Sequence, residues 1–253
     1  MLRPVASRIA RATAISFVFQ LVLAASISFA LAQSAQFGEP GAPRRGQNQS
    51  QNNQPGAFDF YVLALSWSPT FCESVRERNG GRGNEQQCGE RPYSFVVHGL
   101  WPQHERGFPA FCQVPAPRLD RNIVNTMLDL MPSQRLVFHE WDRHGTCTGL
   151  AQRDYFEMVR KARIAVKIPE RFQAIDEMLT VSPGEVVDAF VNANAGLSTQ
   201  AIAVDCDSRR LREVRICLTK DLAFRACGEV TRRTCQRERL IMPPTRAARA
   251  DAR

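Results

Sequence analysis

Apolar and polar residues change rhythm several times along this chain, and each change marks an element. Residues 12–32 are apolar or small, broken by little more than Gln20 and a few hydroxyls. Residues 33–57 then carry Gly, Pro, Ser and a Gln/Asn cluster with almost no large apolar side chain, too little surface to bury for the segment to order itself. From Phe58 to Trp67 the sequence FDFYVLALSW is aromatic and apolar without strict alternation, which predicts a strand buried on both faces. Tyr93–His98 (YSFVVH) predicts a second buried strand. After Met131-Pro132-Ser133 the period lengthens and predicts helix through about Leu150, and Asp154–Ile168 reads as an amphipathic helix closed by Pro169. Ser182-Pro183-Gly184-Glu185 is a capping box with proline at the first helical position, opening a helix through Asn194. Ala201–Asp205 and Leu211–Leu218 predict two further strands. Strands and helices do not alternate regularly, and no repeat of about 20–50 residues is visible. The pattern therefore predicts a single α+β domain over residues 58–240, with a central, mainly antiparallel sheet packed by helices. A solvated basic tail, residues 241–253, follows it.

Composition adds the compartment. With 44% hydrophobic and 23% charged residues in 253, wholesale disorder is excluded and a packed core is affordable. Arg3, Arg8 and Arg11, the apolar run and Ala30-Leu31-Ala32 have the form of a cleavable secretory signal, residues 1–32. An uncleaved anchor is the rival reading, but the run is rich in Ala and Ser. Residues 33–57 would be a flexible leader, in which Asn48-Gln49-Ser50 is a formal glycosylation sequon. The domain is thus expected to be secreted or periplasmic, where thiols oxidise.

Eight cysteines, none within four residues of the next, argue against a thiolate zinc site and for about four disulfides. Spacing alone does not give their connectivity. Cys72 and Cys88 flank a polar loop they could close, and Cys206, Cys217, Cys227 and Cys235 suit a nested hairpin, outer with outer and inner with inner. That would leave Cys112 with Cys147. The net charge of +8 does not by itself point to a polyanion, because three of the positive charges lie in the signal. Five arginines against two acids follow Cys235, so the stretch between is nearly balanced.

Candidate chemistry gathers around four histidines, His98, His104, His139 and His144. An unperturbed pKa near 6.5 lets one imidazole give a proton while another takes one. His98 ends the second strand, and Gly99 frees the backbone to turn; alone, such a histidine reads as structural. His104 sits in a polar loop and is expected to be exposed. In His139-Glu140-Trp141-Asp142-Arg143-His144-Gly145-Thr146-Cys147, helical spacing pairs His139 with Arg143 and Glu140 with His144 at i,i+4. A helix of that composition is ordinarily a solvated ion-pair face. A zinc protease motif needs histidines four apart, whereas His139 and His144 are five apart, about 140° around a helix.

Taken together, Phe95-Val96-Val97-His98-Gly99-Leu100-Trp101-Pro102 and the His139–Cys147 segment resemble the two active-site signatures of the ribonuclease T2 family of secreted ribonucleases. Leu63–Pro69 with Phe71-Cys72 is similar to the family's opening strand, and Glu213-Val214-Arg215-Ile216-Cys217 to its late one. The likeness spans about Phe58 to Cys235. It implies endonucleolytic cleavage of single-stranded RNA, with no metal or other cofactor and low base specificity. The ribose 2′-hydroxyl attacks its own phosphate, the 5′-oxygen leaves, and water later opens the 2′,3′-cyclic phosphate to a 3′-phosphate. DNA, lacking that hydroxyl, is not a substrate. By the same resemblance His144 is the general base and His98 the general acid. Glu140 and Arg143 stabilise the transition state, and His139 binds phosphate.

The family usually has lysine at the position of Arg143, which keeps the charge but changes the geometry. Leu136-Val137-Phe138 lacks a tryptophan often seen there, and Gln103 stands where some members have an aspartate used in base recognition. Trp101 and Phe108 are expected to bind substrate by stacking on a base; Trp67 and Trp141 are expected in the core. The resulting expectation is a monomeric enzyme with no lasting membrane association once the signal is removed. The alternative is a secreted RNA-binding or signalling module on the same fold with impaired catalysis.

Overall fold

Alternation along four strands decides which side chains form the core and which are left to build a site. The structure is a computed structural model that describes residues 53–78, 86–89 and 91–245; the expected signal sequence, most of the leader with its sequon, and the end of the tail lie outside them. In chain order the elements are β1 (Phe60–Trp67), α1 (Ser68–Arg78), β2 (Phe95–Gln103), α2 (Arg121–Met127), α3 (Gln134–Arg143), α4 (Gln152–Ala165), β3 (Leu179–Val181), α5 (Pro183–Ala193), β4 (Ile202–Cys206), β5 (Leu211–Leu218), α6 (Gly228–Arg232) and β6 (Leu240–Met242). The main sheet has the order β2-β1-β5-β4, every neighbouring pair antiparallel, and β3 pairs with β6 in a separate ribbon. This is the α+β arrangement expected from the sequence.

β1 is buried on both faces, as its unalternating apolar run predicts. Leu63, Leu65 and Trp67 face the main core with Phe95, Val97, Leu100, Val214, Ile216 and the inner faces of the helices. Phe60 and Val62 meet Cys217 and Cys227 on the other face, with Trp101 packed alongside. Trp67 lies 5.0 Å from Phe95, which in turn meets Phe190 edge-on at 5.5 Å. Trp67 and Trp141 are both core, and their indole N–H groups donate to Pro243 O and Pro117 O. Four disulfides join Cys72 to Cys88, Cys112 to Cys147, Cys206 to Cys235 and Cys217 to Cys227, the nested pairing included.

Several boundaries differ from the pattern's expectation, each for a physical reason. β2 does not end at His98 but continues to Gln103, because the chain takes up one extra residue at His98 and resumes pairing at Gly99 instead of turning. The helix expected through Leu150 stops at Arg143, and Gly145–Cys147 tightens into a 3₁₀ turn. Gly145 packs so closely that a Cβ there would collide with the Trp141 ring and touch Tyr155 at 3.0 Å. α4 ends three residues before Ile168, and Asn194 bridges the extended chain, accepting from Lys167 N and donating to Lys167 O. The capping box of α5 forms in full. α1, α2, the β3–β6 ribbon and the short α6 were not anticipated. The last residues of the leader are tied down, Gly56 N donating to Cys147 O at 2.9 Å. The first two residues of the expected solvated tail, Ile241 and Met242, instead pair in β6, with Met242 fully buried.

Met242→Ala should therefore destabilise the protein by about 2–4 kcal/mol, measured as a lowered urea midpoint at unchanged slope; a solvated tail would show no change.

Candidate functional site

A strand side chain three positions from another points to the opposite face, unless an extra residue intervenes. Along β2, Val97 pairs with Leu65 and Gly99 with Ala64, so His98 is the extra residue of a bulge. The bulge turns Leu100 into the core with Val97 and leaves His98 and Trp101 together on the other face. Their rings meet edge-to-face with centroids 5.2 Å apart. From the opposite wall, α3 and its C-cap bring His139, Glu140, Arg143 and His144, and the His144 ring lies 5.3 Å from Trp101 at 29°. All seven residues expected to act on or bind substrate, Phe108 among them, line one cleft of about 310 Å³.

Within that cleft the polar contacts are specific. Glu140, 1% exposed, accepts a 2.8 Å hydrogen bond from Trp101 Nε1 at Oε2, while its Oε1 lies 3.8 Å from His98 Nε2. His98 Nδ1 is 2.6 Å from Glu213 Oε2. Glu213 in turn accepts from Arg215 Nε at 2.8 Å and from Ser66 Oγ at 3.3 Å. Trp101 is thus flanked by His98, His144 and Arg215, whose guanidinium lies 5.6 Å from its ring. Phe108 is the more open aromatic, 45% exposed. Arg143 lies over two rings, 5.9 Å from Phe108 and 5.2 Å from Phe111. The loop carrying them is fastened to the end of α3 by Phe111 N donating to Arg143 O, and to the 3₁₀ turn that follows by the Cys112–Cys147 bridge.

This environment sorts the titrating groups. Burial pushes the Glu140 carboxyl up to about 7, against the pull of His98 and Trp101. Burial holds the His144 imidazole down at about 2, helped by the positive charge of Arg143 and the neighbouring histidines. Its Nδ1 is buried with no hydrogen-bond partner among the described residues, which is tolerable for a neutral ring and costly for a charged one. His139 is lowered by partial burial and by Arg143. For His98, burial works to lower the pKa, but the hydrogen bond and charge of Glu213, with Glu140 beyond, prevail and raise it. Glu213 shows the reverse balance: burial would raise it, yet His98 and Arg215 draw it down to about 2.

Two results go beyond the sequence reading. His104 is not exposed but half-buried in the cleft wall, its Nδ1 3.9 Å from Asp59 Oδ2. Glu213 and Arg215, not anticipated as site residues, stand on the site face of β5. Their signal was faint: two charges at period two inside an apolar strand, which reads equally as a solvated edge.

A Cβ on Gly99 would collide with Glu140 Oε2 and Trp101 Nε1, the two groups that brace the floor of the cleft. Gly99→Ala should cost about 1–3 kcal/mol of stability through this overpacking. Gly184→Ala, where the nearest foreign atom is 3.8 Å away, should cost nothing comparable. Thermal unfolding of the two variants checks the difference.

Comparison with known proteins gives the chemistry a family. Residues 58–227 match the Ribonuclease T2 family. A ribonuclease of Aeromonas hydrophila is 35% identical over 170 residues, covering 66% of this chain and 75% of the relative. Among solved structures, an RNase-related protein from Calystegia sepium aligns at TM-score 0.59 and 19% identity over 75% of this chain and 98% of its own. Ribonuclease MC1 from bitter gourd seeds aligns at TM-score 0.53 and 23% identity, over 66% and 92%. Those two show the shared fold, and the sequence match carries the assignment: the chain belongs to the ribonuclease T2 family.

Proposed function

We propose that this protein is an exported endoribonuclease that cleaves single-stranded RNA by internal transesterification, with His144 as general base and His98 as general acid and with no metal. The observation that supports this most directly is the opposite tuning of two imidazoles on one cleft, His144 held neutral by burial and His98 raised by its contact with Glu213. A neutral His144 takes the proton of the ribose 2′-hydroxyl as its oxygen attacks phosphorus. His98 gives its Nε2 proton to the 5′-oxygen as the P–O bond breaks. Arg143 answers the charge that develops on the phosphoryl oxygens, and His139 binds them. Glu140, partly protonated near neutrality, completes this wall and can share a proton with an oxygen of the pentacovalent intermediate. Water then opens the cyclic phosphate to a 3′-phosphate.

A second cavity, about 540 Å³, meets the first at His98. Two hollows either side of the proposed acid suit the two nucleosides either side of a scissile phosphate. Trp101 and Phe108 supply aromatic surface for a base, which is sequence-tolerant and fits low specificity. A variant of ribonuclease MC1 has been solved with 5′-UMP. Export is supported by the oxidised state of all eight cysteines, and among the described residues no helix is long and apolar enough to cross a membrane.

Purified protein in EDTA should cut the dinucleotide UpA to a 2′,3′-cyclic phosphate and leave the 2′-deoxy counterpart intact. His98→Ala and His144→Ala should each lose at least about 10²-fold in rate while remaining folded. Cleavage of the deoxy substrate, loss of activity in EDTA, or wild-type turnover by either variant would refute the mechanism. Because His98 is raised, its acid form is lost only above its ordinary 6.5, so the alkaline limb of kcat/KM should lie above pH 6.5.

Arg143 departs from the usual lysine, and its two ring contacts give a reason for the planar head. Arg143→Lys should lower kcat/KM by about threefold to tenfold, because the ammonium loses the flat contact with Phe108 and Phe111. Equal or higher activity in steady-state assays would show that the rings do not hold the charge in place.

A further inference from the structure

We propose that Glu213 is a positioning residue for the general acid: it accepts the hydrogen on His98 Nδ1 and so fixes the ring orientation and tautomer that aim Nε2 at the substrate. The proposal rests on the reading of His98 above and deepens it. Its basis is geometric. Glu213 is 4% exposed, on β5, two strands from β2, so its carboxylate must span about 10 Å of backbone separation. It does so across Ser66 of β1, with which it pairs in register and whose small side chain leaves the gap open. The bulge at His98 meets it from the other side. The result is a 2.6 Å contact between Glu213 Oε2 and His98 Nδ1, while Oε1 takes the guanidinium of Arg215 at 2.8 Å.

Both oxygens are therefore occupied by donors, and swinging the buried carboxylate away would break its contacts with the Arg215 guanidinium and the Ser66 hydroxyl. The charged groups facing His98 are Glu213 and Arg215 from β5 and Glu140 from α3, with His139 and His144 of that wall close enough to feel its charge. Of the two carboxylates, only Glu213 is in hydrogen-bond contact; Glu140 Oε1 stands at 3.8 Å from Nε2, on the side where substrate would enter. When His98 gives its Nε2 proton to the leaving oxygen, the ring becomes neutral with its remaining hydrogen on Nδ1. That is the tautomer a carboxylate acceptor at Nδ1 selects. The same contact stabilises the imidazolium before transfer, so the donor keeps its proton to a higher pH than a free imidazole would.

Two measurements decide this. In the wild-type protein, ¹⁵N chemical shifts of His98 above its pKa should show the Nδ1–H tautomer. In Glu213→Gln, which keeps shape but loses charge and tautomer selection, kcat should fall about 10–100-fold, with KM changed less than about threefold. The alkaline limb of kcat/KM should move to lower pH. A purely structural role would lower the melting temperature and leave the limb in place. An Nε2–H tautomer in the wild type, or a variant with unmoved limb and unchanged kcat, overturns the proposal. If Glu213→Gln fails to fold, the wild-type tautomer still decides. Retained activity in His98→Ala would instead overturn the assignment of His98 as acid.

Discussion

The parity of a β-strand governs this site. Side chains alternate faces, so a histidine and a tryptophan three residues apart belong on opposite sides of the sheet, one in solvent and one in the core. One extra residue in β2 changes that outcome and places His98, Trp101 and the face of β5 that carries Glu213 and Arg215 on a single surface. The glycine beside the bulge is required by what arrives from the other wall, since Glu140 and Trp101 Nε1 occupy the space a Cβ would take. The bulge, the glycine and the buried helix glutamate form one geometric unit.

On that surface, two glutamates with the same chemistry are driven in opposite directions. Both are buried, and burial alone would neutralise both. Glu213 has a histidine and an arginine in direct contact and stays ionised. Glu140 has one neutral indole donor and a histidine at 3.8 Å, too little to offset desolvation, and it titrates near neutrality. The imidazoles divide likewise: His98 shares a short contact with a carboxylate, whereas His144 Nδ1 is buried with no hydrogen-bond partner among the described residues and has the Arg143 cation nearby. Burial sets the push on each group, and the charged partners in contact decide whether that push prevails.

Much of the core was legible because periodicity reports burial: the double-faced burial of β1, the capping box of α5 and both core tryptophans follow from residue order alone. The α+β class was readable for the same reason; the nested cysteine pairs were suggested instead by four cysteines grouped closely enough to suit a hairpin. What escaped the sequence depends on distant contacts. The bulge has no local signal beyond Gly99, so β2 was cut short at His98. α3 ends early because Gly145 must fit against Trp141 and Tyr155, side chains whose packing exists only in the folded state. β6 looked like tail because its partner, β3, lies some sixty residues away and each is only three residues long. In the site, the two histidine segments were recognisable as motifs. Glu213 was not, because its meaning arises only when β5 lies beside β1.

The same tuning that suits the site shapes how stability depends on pH. His144 is depressed in the folded protein, so below its ordinary 6.5 the unfolded chain binds a proton that the native state refuses, and stability falls as pH falls. Glu213 adds to this at lower pH: the stability it contributes is complete above its ordinary 4.5 and is lost as pH drops towards 2. Glu140 and His98 act in the other direction. Their raised values make the native state hold protons the unfolded chain would release, so their contribution is full in acid and is lost as pH rises, through about 7 for Glu140 and above 6.5 for His98. The two sets therefore oppose each other: one loses its contribution in acid, the other as pH rises. Each wall of the cleft carries one member of each set, Glu140 and His144 at α3 and its C-cap, His98 and Glu213 on the sheet, so neither wall keeps its full contribution at every pH.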